Sequence, residues 1–246
     1  MGKRALILRG GTIEGAFAAG AIKFLHKKFG PDYFDVIYST SVGVFEQAFY
    51  AAREPHVMEN IWRNDIYGNK LINFFNLFKG RPILNLDYLI RLFQSEDSRL
   101  NLKTLYASKA QLLCVVTNYN TREPAIINLK SEEIFKIMRA TCALPFLYTN
   151  KIYIDGVRYI DGGLSIGKAF DSIIKKLDAE GFSEIIVVVS KKNLIKASSS
   201  IVKILEPSKM PLFYQFDTNR KRIIRTIEQG FNDARLLFDE NDKIKT

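Results

Sequence analysis

The chain is poor in histidine and cysteine, with two of each in 246 residues, and it contains no long apolar run. Each shortage removes a class of protein. Cys114 and Cys142 both lie in apolar surroundings. They suit buried free thiols in a reducing compartment better than the disulfide framework of a secreted domain. No histidine follows His56, so the α/β-hydrolase order of serine, acid and then histidine is excluded by counting. An earlier histidine could still serve, because triads occur in other chain orders. His26, in Phe24-Leu25-His26-Lys27-Lys28, is expected near a helix C-terminus and engaged with its carbonyls. His56 follows Glu54-Pro55 at an expected helix start.

No segment has the length of a membrane span. The opening apolar run ends at Arg9, too short for a signal peptide, and Leu6 stands where a myristoylation site needs Ser or Thr. The expectation is a soluble, cytoplasmic protein. No repeat or low-complexity tract is visible, and 197–200 is the only short loop-like run.

What is present is charge and a large apolar fraction. The net charge is +10, with clusters at Lys191-Lys192 and Arg220-Lys221-Arg222. Such a balance favours anionic surfaces. No nucleic-acid motif accompanies it, so no nucleic acid is expected, and peripheral contact with an anionic membrane stands as one reading of the charge. Residues 220–238 read as an amphipathic C-terminal helix, whose basic residues would equally suit a solvated face. At 47% hydrophobic content, one sizeable core and a single domain over 1–246 are expected. Strands near 4–8, 35–38, 111–117, 152–160 and 184–190 alternate with helical stretches, which predicts a layered α/β sheet. The sequence gives no guide to oligomeric state.

Three segments carry chemistry. Tyr38-Ser39-Thr40-Ser41-Val42-Gly43 sits between a β-branched strand and a helical stretch, the setting of a nucleophile elbow that exposes Ser41 beside helix N–H groups. The pattern is S-x-S-x-G, with Ser39 where glycine is usual, and many serines follow strands without catalysis. Arg4–Leu8 runs into Arg9-Gly10-Gly11-Thr12-Ile13-Glu14-Gly15, a glycine-rich turn that presents backbone N–H donors to an anion. Its spacing fits neither the dinucleotide fingerprint nor the Walker loop. A pair of donors for a developing oxyanion remains. Lys151–Ile160 alternates around Asp155-Gly156, a hairpin with a tight turn. Asp161-Gly162-Gly163 closes the returning strand. There Asp161 can act as a base toward a serine, or simply mark a second turn.

Together these segments resemble the patatin-like phospholipase family, whose pattern is a glycine-rich oxyanion loop, a G-x-S-x-G elbow and a later D-G-G or D-G-A aspartate. Ser41 and Asp161 are 120 residues apart, a plausible family spacing. Arg139-Ala140-Thr141-Cys142-Ala143-Leu144-Pro145-Phe146 looks like the segment that precedes the family aspartate. The resemblance spans about residues 4–54 and 110–190. It implies an α/β/α sandwich with a mostly parallel central sheet. It also implies a Ser41–Asp161 dyad and an oxyanion hole at Gly10, Gly11 and Thr12, with no metal and no cofactor. Lipid or other acyl esters are the implied substrates.

The departures are Ser39 in the elbow, Thr12 at the loop's third glycine and Glu14 at its arginine. They keep a second reading open, that of a family member binding lipid or a partner without hydrolysis. Residues 66–95, with the aromatic stretch Leu71–Gly80, read as core packing first and as a lid-like insertion second.

Overall fold

The computed structural model describes residues 2–192, 199–209 and 216–243. Part of the run at 197–200 lies outside them. The apolar N-terminal run forms β1 (Lys3–Arg9), followed by α1 (Ala16–Phe29), β2 (Val36–Thr40), α2 (Gly43–Ala51) and α3 (Pro55–Asn64). Next come α4 (Leu86–Gln94), α5 (Leu102–Ala107), β3 (Gln111–Asn118), β4 (Pro124–Asn128) and α6 (Ile134–Cys142). The chain continues through β5 (Ile152–Ile154), β6 (Val157–Ile160), α7 (Ile166–Ala179), β7 (Phe182–Val188), β8 (Val202–Leu205) and α8 (Arg220–Lys243).

The sheet runs β5-β6-β3-β2-β1-β7-β8, with β4 also paired to β3. β1, β2, β3, β7 and β8 are mutually parallel, while β4 and β6 run antiparallel to β3. The central strands are apolar on both faces, as a parallel sheet covered on both sides requires. Leu6, Leu8, Ile37 and Ile186 pack with α1, α2 and α6 on one side. Ala5, Ile7, Tyr38 and Val187 pack under α7 on the other. This is an α/β/α sandwich with a mixed, mostly parallel sheet.

Register places the site. Arg9 pairs with Thr40 and Thr40 with Val115, so the glycine-rich loop and the elbow leave adjacent strand ends. β6 returns antiparallel, with Ile160 opposite Thr117. Asp161 therefore emerges beside the elbow. The hairpin feeding it has Asp155 at φ 48° and Gly156 at φ 75°, the positive angles that a tight two-residue hairpin needs.

One expectation needs correction. Residues 66–95 divide between roles: Leu71, Ile72, Leu84, Leu89 and Phe93 are buried, but Phe74, Phe75, Leu77 and Phe78 are exposed, Phe78 to 87%. Those four lie on a 3-10 turn, Phe74–Lys79, between the bridged residues Ile72 and Leu84. A cap holds it, Asn73 Oδ1 accepting the Phe75 N–H at 3.0 Å. The amphipathic C-terminal helix expected at 220–238 is present as α8, with its apolar face turned inward. Ile223, Ile227, Ala234 and Phe238 are buried, and α8 packs on α1 so closely that a Cβ at Gly20 would lie 1.9 Å from the Ile227 carbonyl oxygen.

Candidate active site

Ser41 occupies the sharp turn between β2 and α2 at φ 53°, a left-handed conformation that costs an L-residue about 1–2 kcal/mol. Its surroundings hold it there. The Ser41 N–H donates to Thr141 Oγ1 at 2.8 Å, and Thr141 donates onward to the Val115 carbonyl at 2.7 Å. The Ser41 carbonyl accepts the Val44 N–H at 3.0 Å, which starts the helix. Ser39, the unusual elbow residue, is buried with its Oγ 2.5 Å from Gln47 Oε1. The Gln47 amide in turn donates to the Ile37 carbonyl at 2.6 Å. The hydroxyl thus ties α2 to β2, a contact glycine cannot make.

Ser41 Oγ donates to Asp161 Oδ2 at 2.9 Å. The other carboxylate oxygen accepts the Gly163 N–H at 2.7 Å. The Asp161 backbone is fixed on both sides, its N–H to the Ala143 carbonyl at 3.0 Å and its carbonyl to Thr117 Oγ1 at 2.8 Å. Gly162 sits where any side chain would strike β3: a Cβ there would be 2.0 Å from the Val115 carbonyl oxygen. Asp161 is 2% exposed. Burial pushes its carboxyl up to about 7, although the bonds from Gly163 and Ser41 favour the ionised form.

The glycine-rich loop closes the site. A Cβ on Gly10 would lie 2.4 Å from the Thr40 carbonyl oxygen and 2.6 Å from Ser41 Cβ, so only glycine lets the loop approach the elbow. Among the described residues, nothing accepts a hydrogen bond from the N–H of Gly11 or Thr12. Thr12 Oγ1 is likewise buried without a partner. Gly10, Gly11, Thr12, Ser41 and Asp161 line one cleft of about 250 Å³, with Arg9 and Lys191 on its wall. The Glu14 side chain lies outside the described residues.

All five residues predicted from sequence meet in this cleft; the histidines do not. His26 sets its ring edge-on to Tyr50 at 5.4 Å, and its Nε2 has no partner among the described residues. Its expected role at the helix terminus falls to Gly30, whose N–H caps the His26 carbonyl at 2.9 Å. Burial, with Arg53 and His56 nearby, lowers the His26 pKa. His56 is exposed at the start of α3.

Thr141 and Thr117 were not singled out from sequence, and Gly163 entered only as part of the Asp161-Gly162-Gly163 turn, not as a donor to the carboxylate. Thr141 lay within a segment already noticed, but a threonine in a helix carries no mark of what it bonds across the core. Glu46 on α2 was missed as well. It is fully buried, accepts the Trp62 indole N–H at 2.8 Å, and burial pushes it up to about 8. Both cysteines are free and buried, the Cys114 thiol pushed up to about 12 by burial. Among the described residues, no group of three or more His, Cys, Asp or Glu side chains is placed to hold a metal ion. A larger pocket of about 600 Å³ adjoins the cleft and shares Leu144 and Leu164 with it.

A strained serine on an elbow, a buried aspartate at the end of an antiparallel strand and a glycine loop against both thus meet in one cleft. The chain belongs to the patatin-like phospholipase family, whose model matches residues 6–171. An uncharacterized protein of Escherichia coli K12, YjjU, is 23% identical over 192 residues, 76% of this chain and 52% of that protein. The chain thus spans about half the length of that curated relative. Among solved structures, VipD from Legionella pneumophila superposes with a TM-score of 0.54 at 12% identity, over 98% of this chain and 67% of that one. The type III effector ExoU, from Pseudomonas aeruginosa, gives 0.54 at 10% identity, over 98% and 53%. At such identities these likenesses speak for the fold alone.

Proposed function

We propose that the chain is a serine acyl hydrolase of the phospholipase A or lysophospholipase type, working through a Ser41–Asp161 dyad. The observation that carries this reading is the hydrogen bond from Ser41 Oγ to a buried carboxylate whose second oxygen is held by a backbone N–H. A carboxylate moved toward neutral pH can take the serine proton without a histidine.

In this account Ser41 Oγ attacks the ester carbonyl as Asp161 takes its proton. The negative charge that develops on the carbonyl oxygen faces the free N–H groups of Gly11 and Thr12. The Ser41 N–H is not available to it, being spent on Thr141. Collapse of the intermediate expels the alcohol, which receives its proton from Asp161. Water, deprotonated by Asp161, then releases the fatty acid and restores Ser41.

The substrate reading, acyl esters of lipids, draws on the family and on two surface features. The exposed apolar turn Phe74–Lys79 carries Lys79 and is followed by Arg81, and the chain is strongly cationic. Aromatic and basic groups side by side suit an anionic lipid–water interface. We assign this turn a lid-like or lipid-entry role within one catalytic unit over 1–246. No helix among the described residues is long and apolar enough to cross a membrane.

The non-hydrolytic reading loses one of its supports, since Ser39 is accommodated by Gln47 and leaves the dyad geometry intact. Incubation with a total lipid extract, with Ser41→Ala as blank, tests the proposal: mass spectrometry should find fatty acids released only by the parent protein. Equal release by both would overturn it.

A further inference from the structure

Tyr119, Arg122 and Arg158 form a cationic wall of the 600 Å³ pocket beside the dyad. Resting on the acyl-hydrolase reading, we propose that this wall binds the phosphate of an ester substrate whose acyl carbonyl lies at Ser41.

The wall is built, not incidental. Arg158 sets its guanidinium carbon 3.6 Å from the Tyr119 ring centroid, and Arg122 sets its own at 4.8 Å. Stacking on the ring restrains both side chains while leaving in-plane N–H donors to point elsewhere. The backbone braces the same trio. The Tyr119 N–H donates to the Arg158 carbonyl at 2.9 Å, and the Arg122 N–H donates to the Asn118 carbonyl at 3.0 Å. Asn118 Oδ1 gathers the N–H groups of Asn120 and Thr121. Arg122 itself is at φ 61°, the left-handed position that closes the β3–β4 hairpin loop.

Apart from the Tyr119 ring, the two charges meet no counter-charge among the described residues. Among the described residues neither arginine pairs with a carboxylate. The adjacent Glu123 is committed to Lys168 at 2.6 Å. Arg158 Nε is buried without a hydrogen-bond partner among the described residues, and a guanidinium cannot shed its charge to escape that cost. An anion with several acceptor oxygens satisfies both forks, and phosphate matches their geometry.

Position links the wall to the dyad. Arg158 stands three residues before Asp161 on the strand that delivers it, roughly 10 Å along an extended chain. Leu144 and Leu164 line both cavities, so the two adjoin at these residues. Leu144, Pro145 and Phe146, the last 91% exposed, give the pocket an apolar side, with Thr149 and Asn150 as further polar lining. A phosphate next to an apolar path that leads to a serine describes an acylated glycerophosphate.

The test uses lysophosphatidic acid and a monoacylglycerol of the same acyl chain, both below aggregation, with the full chain. The parent should favour the phosphate-bearing ester in kcat/KM by tenfold or more. That ratio should fall about tenfold in Arg158→Gln or Arg122→Gln and further in the double variant, with Arg158→Lys recovering part of it. A ratio that is the same in parent and double variant would overturn the proposal. Calorimetric titration of lysophosphatidic acid into Ser41→Ala protein separates this claim from the hydrolase reading. Binding weakened tenfold or more by the two Gln substitutions supports the wall even if no ester is cleaved, and undiminished binding overturns it. Inorganic phosphate binding as tightly as lysophosphatidic acid would assign the arginines to a free anion and equally overturn the substrate role.

Discussion

Thr141 Oγ1 accepts the Ser41 N–H at 2.8 Å while donating its own hydrogen to Val115 at 2.7 Å, so a residue 100 positions away fixes the backbone of the proposed nucleophile. Thr141→Val keeps the shape and removes the acceptor. It should leave a buried N–H unpaired at a cost of about 1–3 kcal/mol. In thermal unfolding the variant should melt several degrees lower. Its kcat should fall about tenfold with little change in KM, because positioning of Ser41 is lost rather than substrate contact. Thr141→Ser should restore both.

The two buried carboxyls make the chain sensitive to pH in a defined direction. Asp161 keeps its proton to about 7 and Glu46 to about 8, both above their ordinary values because of burial. Between about pH 4 and 8 the unfolded chain therefore binds fewer protons than the folded one. Stability should fall across that window as pH rises and level off above it. Denaturant melts at intervals from pH 4 to 9 should show this slope, and Asp161→Asn and Glu46→Gln should each flatten it.

Activity should run the other way. The proposed base must be ionised, so kcat/KM should rise about tenfold per unit below an apparent pKa near 7 and then reach a plateau. His26→Ala and His56→Ala should leave that profile in place. A profile that vanished with either histidine would transfer the base role to it.

Ser39 and Gln47 give the elbow a second anchor. Ser39→Gly would restore the more usual elbow residue but remove the bond. Stability should drop by about 1 kcal/mol, with substrate turnover retained. A gain in stability would mean that the hydroxyl is not part of the anchor.

The α1–α8 contact depends on backbone proximity at Gly20 and Gly230. A Cβ at Gly230 would sit 2.0 Å from the Phe17 carbonyl oxygen, with helix backbone unable to yield cheaply. Gly230→Val should cost about 1–3 kcal/mol by overpacking. At this chain length that is roughly 2–4 °C of Tm per kcal/mol, readable by circular dichroism.

Much of this was legible in the sequence because the residues that build the site are local signals. The local contexts of Gly10, Ser41 and Asp161 are each written in a few neighbouring positions, and the register of parallel β1, β2 and β3, with β6 antiparallel to β3, brings them together. β4 escaped because it is short, opens with Pro124 and is half exposed, so it lacks the apolar run of a central strand. β8, four residues long, gave no stronger signal. Thr141 and Thr117 escaped for another reason: their roles are set by partners 100 and 44 positions away, which no local pattern encodes. The aromatic turn Phe74–Lys79 was misassigned to the core because apolar residues at helical spacing usually pack inward. Here the bridge between Ile72 and Leu84 turns that stretch outward.

The central claim is that Ser41 is a nucleophile activated by Asp161, and labelling with a fluorophosphonate probe measures it most directly. Intact mass spectrometry should show one adduct per chain, peptide mapping should place it on Ser41, and Ser41→Ala should show none. Asp161→Asn should label far more slowly, while His26→Ala and His56→Ala label at the parent rate. An unlabelled parent protein, or an adduct that persists in Ser41→Ala, would contradict the account.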